Sequence, residues 1–490
     1  MPDGHFLGWT PGKSPYREPE GMSWSLPQNA DLVLQLHMPT TGKRERVSAS
    51  VGLFFSNDPP RLIPVTLRLG SRGFEIPAET KDYLIEDSYA LPVDVRALSI
   101  YPHAHYLARD MQAKAILPDG RELLLIWIPE WDFKWQDFYR YKDPILLPKG
   151  TRVTMRFVYD ASEDNPRNPN RPSRNVAYGP RSTDEMADLY LQVLPVHSRE
   201  LEVLRSDFQE KELASRLREL TFRIEREPQE ADAWNSLGVA YDELGRDEEA
   251  IEAFRRALRI DPARPDAHSN LGTLLSRRDR ASEALGHFEA AIRTEPDCFE
   301  CHLRRGILLR DLGRMEEAVA ELEWSTSFDP LHPWAHYNLG IALQLQGRMD
   351  RAIAEYREVV RLTPEDPDSR LSLGVALIAS GRCTPGIGEL EETLRIEPSW
   401  PEAMSRLAYA LARCPQSAPD AVPRALALAS RAADLTGHSD PNVLDSLAHA
   451  LAAAGRDEEA RETWRGALGL AERTGNRRLA QELRRQLSRP

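Results

Sequence analysis

The chain has 490 residues, 41% hydrophobic and 28% charged, which fits folded protein, excludes wholesale disorder, and calls for several domains rather than one core. Its formal charge of −13 speaks against a nucleic-acid partner, because phosphate binding needs a basic surface. No apolar run approaches the roughly 18 residues of a membrane helix; the longest, Leu123 to Ile128, is strand-sized.

Residues 1 to about 30 are rich in Pro, Gly and Trp without a period, as expected of loops between strands. Met1-Pro2-Asp3-Gly4-His5 lacks the basic segment and apolar core of a secretory signal, so either the protein is cytoplasmic or its start lies upstream. The first clear strand is Asp31 to His37, with Leu32, Leu34 and Leu36 on one face and Val33, Gln35 and His37 on the other. Further strand-like runs are Val47–Phe55, Val93–Ile100, Met111–Leu117, Glu122–Ile128 and Thr151–Tyr159, separated by turns such as Pro118-Asp119-Gly120 and Pro148-Lys149-Gly150. Short strands with regular turns predict an antiparallel sandwich or jelly roll.

Within this region Tyr101-Pro102-His103-Ala104-His105-Tyr106-Leu107 is the candidate for chemistry. Two histidines at i and i+2 on an extended segment share a face, within reach of one metal ion; the alternative is a pair of packed or surface histidines without metal. The stretch Glu163 to Arg174 is too rich in Pro and Asn for a sheet interior and predicts a surface loop. In Thr183 to Val193, read as a strand, Met186, Asp188 and Tyr190 share one face while Leu189, Leu191 and Val193 pack inward. Two imidazoles and a thioether suit copper, above all Cu(I), since soft sulfur selects it; alternatively Met186 fills an apolar gap, as methionine often does.

Tyr101 to Leu107, Leu117-Pro-Asp-Gly120, Trp127-Ile-Pro-Glu-Trp-Asp132 and Thr183-Asp-Glu-Met-Ala-Asp-Leu-Tyr190 together resemble the C-terminal half of the copper type II, ascorbate-dependent monooxygenases, the peptidylglycine alpha-hydroxylating monooxygenase family. The resemblance covers about residues 1 to 196 and implies an oxidoreductase that hydroxylates a C–H bond of a small-molecule or peptide substrate with dioxygen and a reductant such as ascorbate. It implies copper at His103, His105 and Met186, Tyr190 beside that copper, and His37 as one ligand of a second, electron-delivering copper. Ligation needs neutral imidazoles, so binding should weaken as pH falls through the histidine range.

The chain departs from that pattern in three places. The adjacent His-His pair of the second copper site is absent from the whole sequence, Tyr101 stands where peptide-amidating members carry an arginine, and Ala187 replaces a cysteine. The chain therefore reads as truncated, with residues 1–43 a remnant of the N-terminal monooxygenase domain and 44–196 the copper-binding β-sandwich. The family works outside the cytoplasm, so a periplasmic or secreted location is expected if the full gene product carries an upstream signal.

From Arg199 to Arg226 leucines recur at helical spacing, predicting a connecting helix within residues 197–230. An internal repeat follows. Gly238, Gly272, Gly306, Gly340 and Gly374 are each 34 apart, as are Pro262, Pro296, Pro330, Pro364 and Pro398. Trp234-Asn-Ser-Leu-Gly-Val-Ala-Tyr241 with Ala250, Phe254, Ala257 and Pro262 resembles a tetratricopeptide repeat. About seven units fill residues 231–474, the sixth interrupted near Cys414 to Pro419, with a capping helix over 475–490.

In that family the first helices line a concave face that grips a protein or peptide. Here the resemblance points to Leu303, Ile307, Trp334, Tyr337, Ile341, Leu371 and Val375, although residues at helical spacing in a solenoid also pack between repeats.

Four cysteines, Cys298, Cys301, Cys383 and Cys414, are too few for a disulfide framework. Cys298-Phe-Glu-Cys301-His302 nominally matches a haem-attachment sequence, yet His302 occupies the repeat position also held by Trp234, His268 and His336, so the repeat already accounts for it. The expected whole is a multidomain chain, an all-β sandwich followed by an all-α solenoid. The expected function is a copper monooxygenase module with a protein-binding array. The alternatives are a non-catalytic scaffold with a relic copper site, and copper storage or delivery.

Overall fold

The computed structural model describes residue 22 and residues 62–488, apart from 180, 182 and 418. Apart from residue 22, the remnant domain expected over residues 1–43 lies outside the described residues, as do the strand at Val47–Phe55 and the candidate ligand His37. The chain divides into two compact units, Met1–Ile260 and Asp261–Pro490.

Among the described residues of the first unit, ten strands precede three α-helices. One antiparallel sheet has the order β1 (Val65–Gly70), β10 (Asp188–Pro195), β4 (Val95–His103) and β7 (Tyr139–Leu147). A second has the order β3 (Tyr83–Ala90), β8 (Arg152–Tyr159), β5 (Ala108–Ile116) and β6 (Glu122–Ile128). The short strands β2 (Glu75–Ile76) and β9 (Val176–Ala177) pair separately. Alternation does what the residue pattern requires: Leu189, Leu191 and Val193 of β10 and Val95, Ala97 and Ile100 of β4 join Met111, Ala113 and Ala115 of β5 and Val153, Met155 and Phe157 of β8 in one buried cluster. Two of the long strands, β3 and β7, carry no clean sequence signal. Glu86 and Asp87 sit inside β3 and Pro144 inside β7, which stands at a sheet edge where a missing ladder donor is tolerated.

Helix α1 (Leu201–Arg226) serves two cores. Near its start Leu204 belongs to the β core and Phe208 packs against it, while Tyr89 donates to Asp207 at 2.7 Å and Lys211 pairs with Asp87 at 2.6 Å. Near its end Leu217, Leu220 and Ile224 pack on Leu237 and Ala240 of α2 (Ala231–Glu243). Helix α3 (Asp247–Ile260) closes the first helical pair, and the ring of Phe254 fills the space above Gly238.

The second unit continues the pairs with α4 (Pro265–Arg277), α5 (Ala281–Thr294), α6 (Phe299–Asp311), α7 (Met315–Phe328), α8 (Pro333–Leu345), α9 (Met349–Leu362), α10 (Pro367–Ala379) and α11 (Cys383–Ile396). Then come α12 (Pro401–Arg413), α13 (Ala421–Leu435), α14 (Pro441–Ala453), α15 (Asp457–Arg473) and a closing α16 (Arg477–Leu487). Proline opens α4, α8, α10, α12 and α14, where its missing N–H would be unpaired anyway. The recurrent glycine marks the close crossing of each pair, since a Cβ on Gly340 would lie 2.7 Å from the Tyr356 ring and one on Gly374 2.8 Å from Leu390.

All four cysteines pair, Cys298 with Cys301 and Cys383 with Cys414. Their small number therefore does not keep them from bridging. Each pair has Cα atoms at bridging distance, 5.4 and 6.2 Å.

Candidate metal centre and repeat surface

Strand β4 ends at His103, which stands opposite Asp188, the first residue of β10. Pro102 faces Leu189 and Tyr101 faces Tyr190, so Tyr101 and His103 share the outer row with Asp188 and Tyr190. Here the structure corrects the expectation of one strand face for both histidines. His105 follows in the turn before β5 and is only 4% exposed. The two rings still come together, with centroids 5.4 Å apart and planes at 89°. Met186, expected within a strand, lies just before β10, and its Sδ is 3.2 Å from His103 Nε2. Residues 83 positions apart in the chain thus meet at one point.

Neighbouring groups fix which ring nitrogen is free. Gln136 donates its amide N–H to the Phe133 carbonyl at 2.9 Å, so its Oε1 is the acceptor for His103 Nδ1–H at 2.5 Å. His105 Nδ1–H donates to the Asp184 carbonyl at 3.1 Å. Both imidazoles therefore carry their lone pair on Nε2, and the lone pair of His103 faces a thioether with no hydrogen between them. Burial holds both histidines below their ordinary range, His105 down to about 4, where His103 adds a second lowering effect. A neutral, tautomer-fixed pair beside a soft sulfur is a donor set that fits a cuprous ion. Among the described residues no group of three or more His, Cys, Asp or Glu side chains is placed to hold a metal ion.

Glu185 builds the centre without belonging to the donor set. Fully buried, its Oε1 accepts the backbone N–H of His105 and, at 2.9 Å, that of Met186, while Oε2 accepts from Leu107 N–H at 2.8 Å. One carboxyl thereby ties the histidine turn to the methionine segment. Burial pushes its pKa up to about 8 against the pull of those three donors. On the other side Tyr159 donates to the Met186 carbonyl at 2.8 Å, and buried Trp131 donates to the His105 carbonyl at 3.0 Å. Gly70 adds a close approach: it has φ +151°, and a Cβ there would lie 2.0 Å from the Ala187 carbonyl oxygen.

Asp188 is buried against Arg68, with Oδ1 2.7 Å from Nε and 2.5 Å from Nη2. Tyr190 sits one place along the row, its ring 6.0 Å from Tyr101, whose own ring is 6.1 Å from His103. Burial, with Asp188 second, holds the Tyr190 phenol above its usual range. Sequence reasoning singled out both histidines, the methionine and the tyrosine, which the fold brings near one another, and did not single out Gln136 or Glu185. For Glu185 the signal was a carboxyl next to Met186; for Gln136, isolated in the loop between β6 and β7, no motif existed.

On the repeats, Leu303 is 2% exposed and packs in the cluster of Leu339 and Leu343, with Ile307, Tyr337 and Ile341 packed against it. Among these expected peptide contacts only Trp334 is widely exposed, at 52%, its ring stacked on Tyr337 with centroids 5.5 Å apart. Helix-to-helix packing uses the rest.

The recurrent position of Trp234 serves the turns. Trp234, His268, His302, His336 and Arg370 each donate to a proline carbonyl six residues back, at 2.9 to 3.1 Å. His302 and His336 also reach Glu321 and Glu355 at 2.5 and 2.7 Å through Nδ1. Both nitrogens of His302 and both sulfurs of Cys298 and Cys301 are thus engaged, which removes the haem-attachment reading.

Profiles described as tetratricopeptide repeat or TPR repeat match residues 231–263, 269–323, 306–347 and 333–366. No curated protein matches the chain at a significant level. Similar solved structures include YrrB, a TPR protein with an unusual peptide-binding site, at 20% identity, covering 38% of this chain and 95% of that one, with TM-score 0.34. The type IV pilus biogenesis factor PilW shows 23% identity over 43% of this chain and 95% of its own, with TM-score 0.38. Pseudomonas aeruginosa pilF shows 22% identity over 42% and 91%, with TM-score 0.37. The C-terminal half of this chain carries tetratricopeptide repeats.

Proposed function

We propose that the chain is a protein-interaction scaffold, in which the repeats hold a protein or peptide partner and the β domain keeps a Cu(I) site made by His103, His105 and Met186. The observation that carries the scaffold is the run of repeat matches from 231 to 366, since stacked helical pairs present continuous surfaces for extended or helical segments. Trp334 is the anchor on that surface, because a large exposed aromatic ring supplies most binding free energy per residue. The test is Trp334→Ala in a peptide-library display against the full chain: loss of selected peptides supports the reading, and an unchanged set removes Trp334 from the surface.

A second reading, the copper-dependent monooxygenase, is favoured by one observation, the 3.2 Å approach of Met186 Sδ to His103 Nε2. Bound copper would supply one-electron and dioxygen chemistry. The chain's own contribution is to keep two Nε2 lone pairs free through Gln136 and the Asp184 carbonyl, and to fix the thioether through Glu185. The outer row of Tyr101 and Tyr190 beside His103 would orient a substrate.

Competition titration with a chromophoric Cu(I) chelator should find one copper per chain, lost in His103→Ala and weakened about 10–100-fold in Met186→Ala. Unchanged binding in His103→Ala removes the site. Ascorbate-dependent oxygen consumption that disappears in both variants supports catalysis, whereas tight copper without consumption leaves the scaffold. Two disulfides support a compartment outside the reducing cytoplasm.

A further inference from the structure

The sulfur of Cys298 and its bridge to Cys301 are absorbed neither by the metal centre nor by the repeat pattern. Cys301 takes the small buried slot that Ala233, Ala267, Ala335 and Ala403 fill in other repeats, and is itself fully buried. Cys298 holds the position just before α6, is only partly buried, and its sulfur accepts the Cys301 N–H at 3.3 Å. Packing explains the small residue at 301 but gives no reason for a second sulfur at 298.

A staple is a poor account of the pair. The bridge closes a loop of sequence separation 3, against 31 for Cys383–Cys414, and a short loop removes little chain entropy from the unfolded state. The pair is also asymmetric, with Cys298 partly buried and Cys301 fully buried. An incoming thiolate can reach only one end, and the thiolate left there on release accepts a backbone N–H, which favours its departure.

We propose that Cys298–Cys301 is a thiol–disulfide exchange site that oxidises a dithiol on a protein or peptide substrate. A substrate thiolate attacks Sγ of Cys298, the Cys298–Cys301 bond breaks, and Cys301 leaves as a thiolate that takes up a proton. The second substrate thiolate then attacks the substrate sulfur of the mixed disulfide and releases Cys298. Two electrons and two protons pass from the substrate dithiol to the bridge, which ends as two thiols while the substrate ends as a disulfide.

The test incubates the folded full-length chain with a synthetic peptide carrying two reduced cysteines, then alkylates free thiols and maps them by mass spectrometry. Peptide disulfide should form in step with free Cys298 and Cys301, at least about tenfold faster than Cys383–Cys414 opens. Given the oxidised peptide, Cys301→Ser should trap it as a mixed disulfide through Cys298, and Cys298→Ser should not. Opening of both bridges at one rate, opening only in denaturant, or equal capture by the two variants would each overturn the proposal. The wild-type comparison decides by itself if either variant fails to fold.

Discussion

At the scale of single residues, the centre depends on a carboxyl that touches none of the proposed donor atoms. Glu185 receives N–H bonds from residues 105, 107 and 186, and a buried donor left without a partner costs about 1–3 kcal/mol. Glu185→Leu strands three of them, so we expect a loss on the order of 3 kcal/mol or more in urea unfolding followed by near-UV circular dichroism. In Glu185→Gln the amide turns one N–H toward a backbone N–H, and a loss of about 1–2 kcal/mol is expected. Wild-type stability in the leucine variant would refute the clasp. The histidines set the pH response. Protons compete with a metal for Nε2, and burial lowers both pKa values, His105 to about 4. The lone pairs therefore stay free below the ordinary histidine range, and Cu(I) affinity should fall only at a pH lower than that range. This places the loss lower than the ordinary histidine range expected from sequence; a fall centred near 6.5 in chelator competition would show solvated rings instead.

At the scale of elements, period alone located the repeats, while strands were legible only where clean alternation or an apolar run marked them. Strand β6 runs over Glu122–Ile128, as the apolar run indicates, whereas β3 and β7 hide behind Glu86, Asp87 and Pro144 because pairing partners, not local propensity, stabilise them. The glycine period has a test of its own. Gly340→Ala puts a methyl against Tyr356 and should cost about 1–3 kcal/mol, while Gly466→Ala, with nothing within 4 Å, should gain roughly 0.5–1 kcal/mol in a helix interior. Differential scanning calorimetry of both variants checks the contrast, and equal midpoints would mean that the crossing is not close. His336 offers a pH test of a turn. Glu355 holds its pKa above the usual value, so its contribution is present below the unfolded pKa and lost as pH rises through the folded one. The wild-type unfolding midpoint should fall more than that of His336→Gln as pH rises from about 6.5 upward.

At the scale of the whole molecule, the Cys383–Cys414 bridge joins the start of α11 to the residue after α12, where the sixth repeat is interrupted. With a separation of 31 residues, its loss should cost about 3–4 kcal/mol, and Cys414→Ser should lower the unfolding midpoint of the second unit in a calorimetric scan. An unchanged midpoint would mean that the helix packing around Ala421 and Ala425 suffices. The sequence by itself determined the repeat array, because a 34-residue period of glycine and proline records contacts between near neighbours. It also pointed to His103, His105 and Met186 as candidate donors, through motifs that resemble a family's. Only tertiary structure decided that Met186 meets His103, that Glu185 and Gln136 hold the centre, and that Leu303 is core rather than surface. Contacts between residues 33 to 83 positions apart depend on sheet pairing and loop course, and neither leaves a local pattern in the chain.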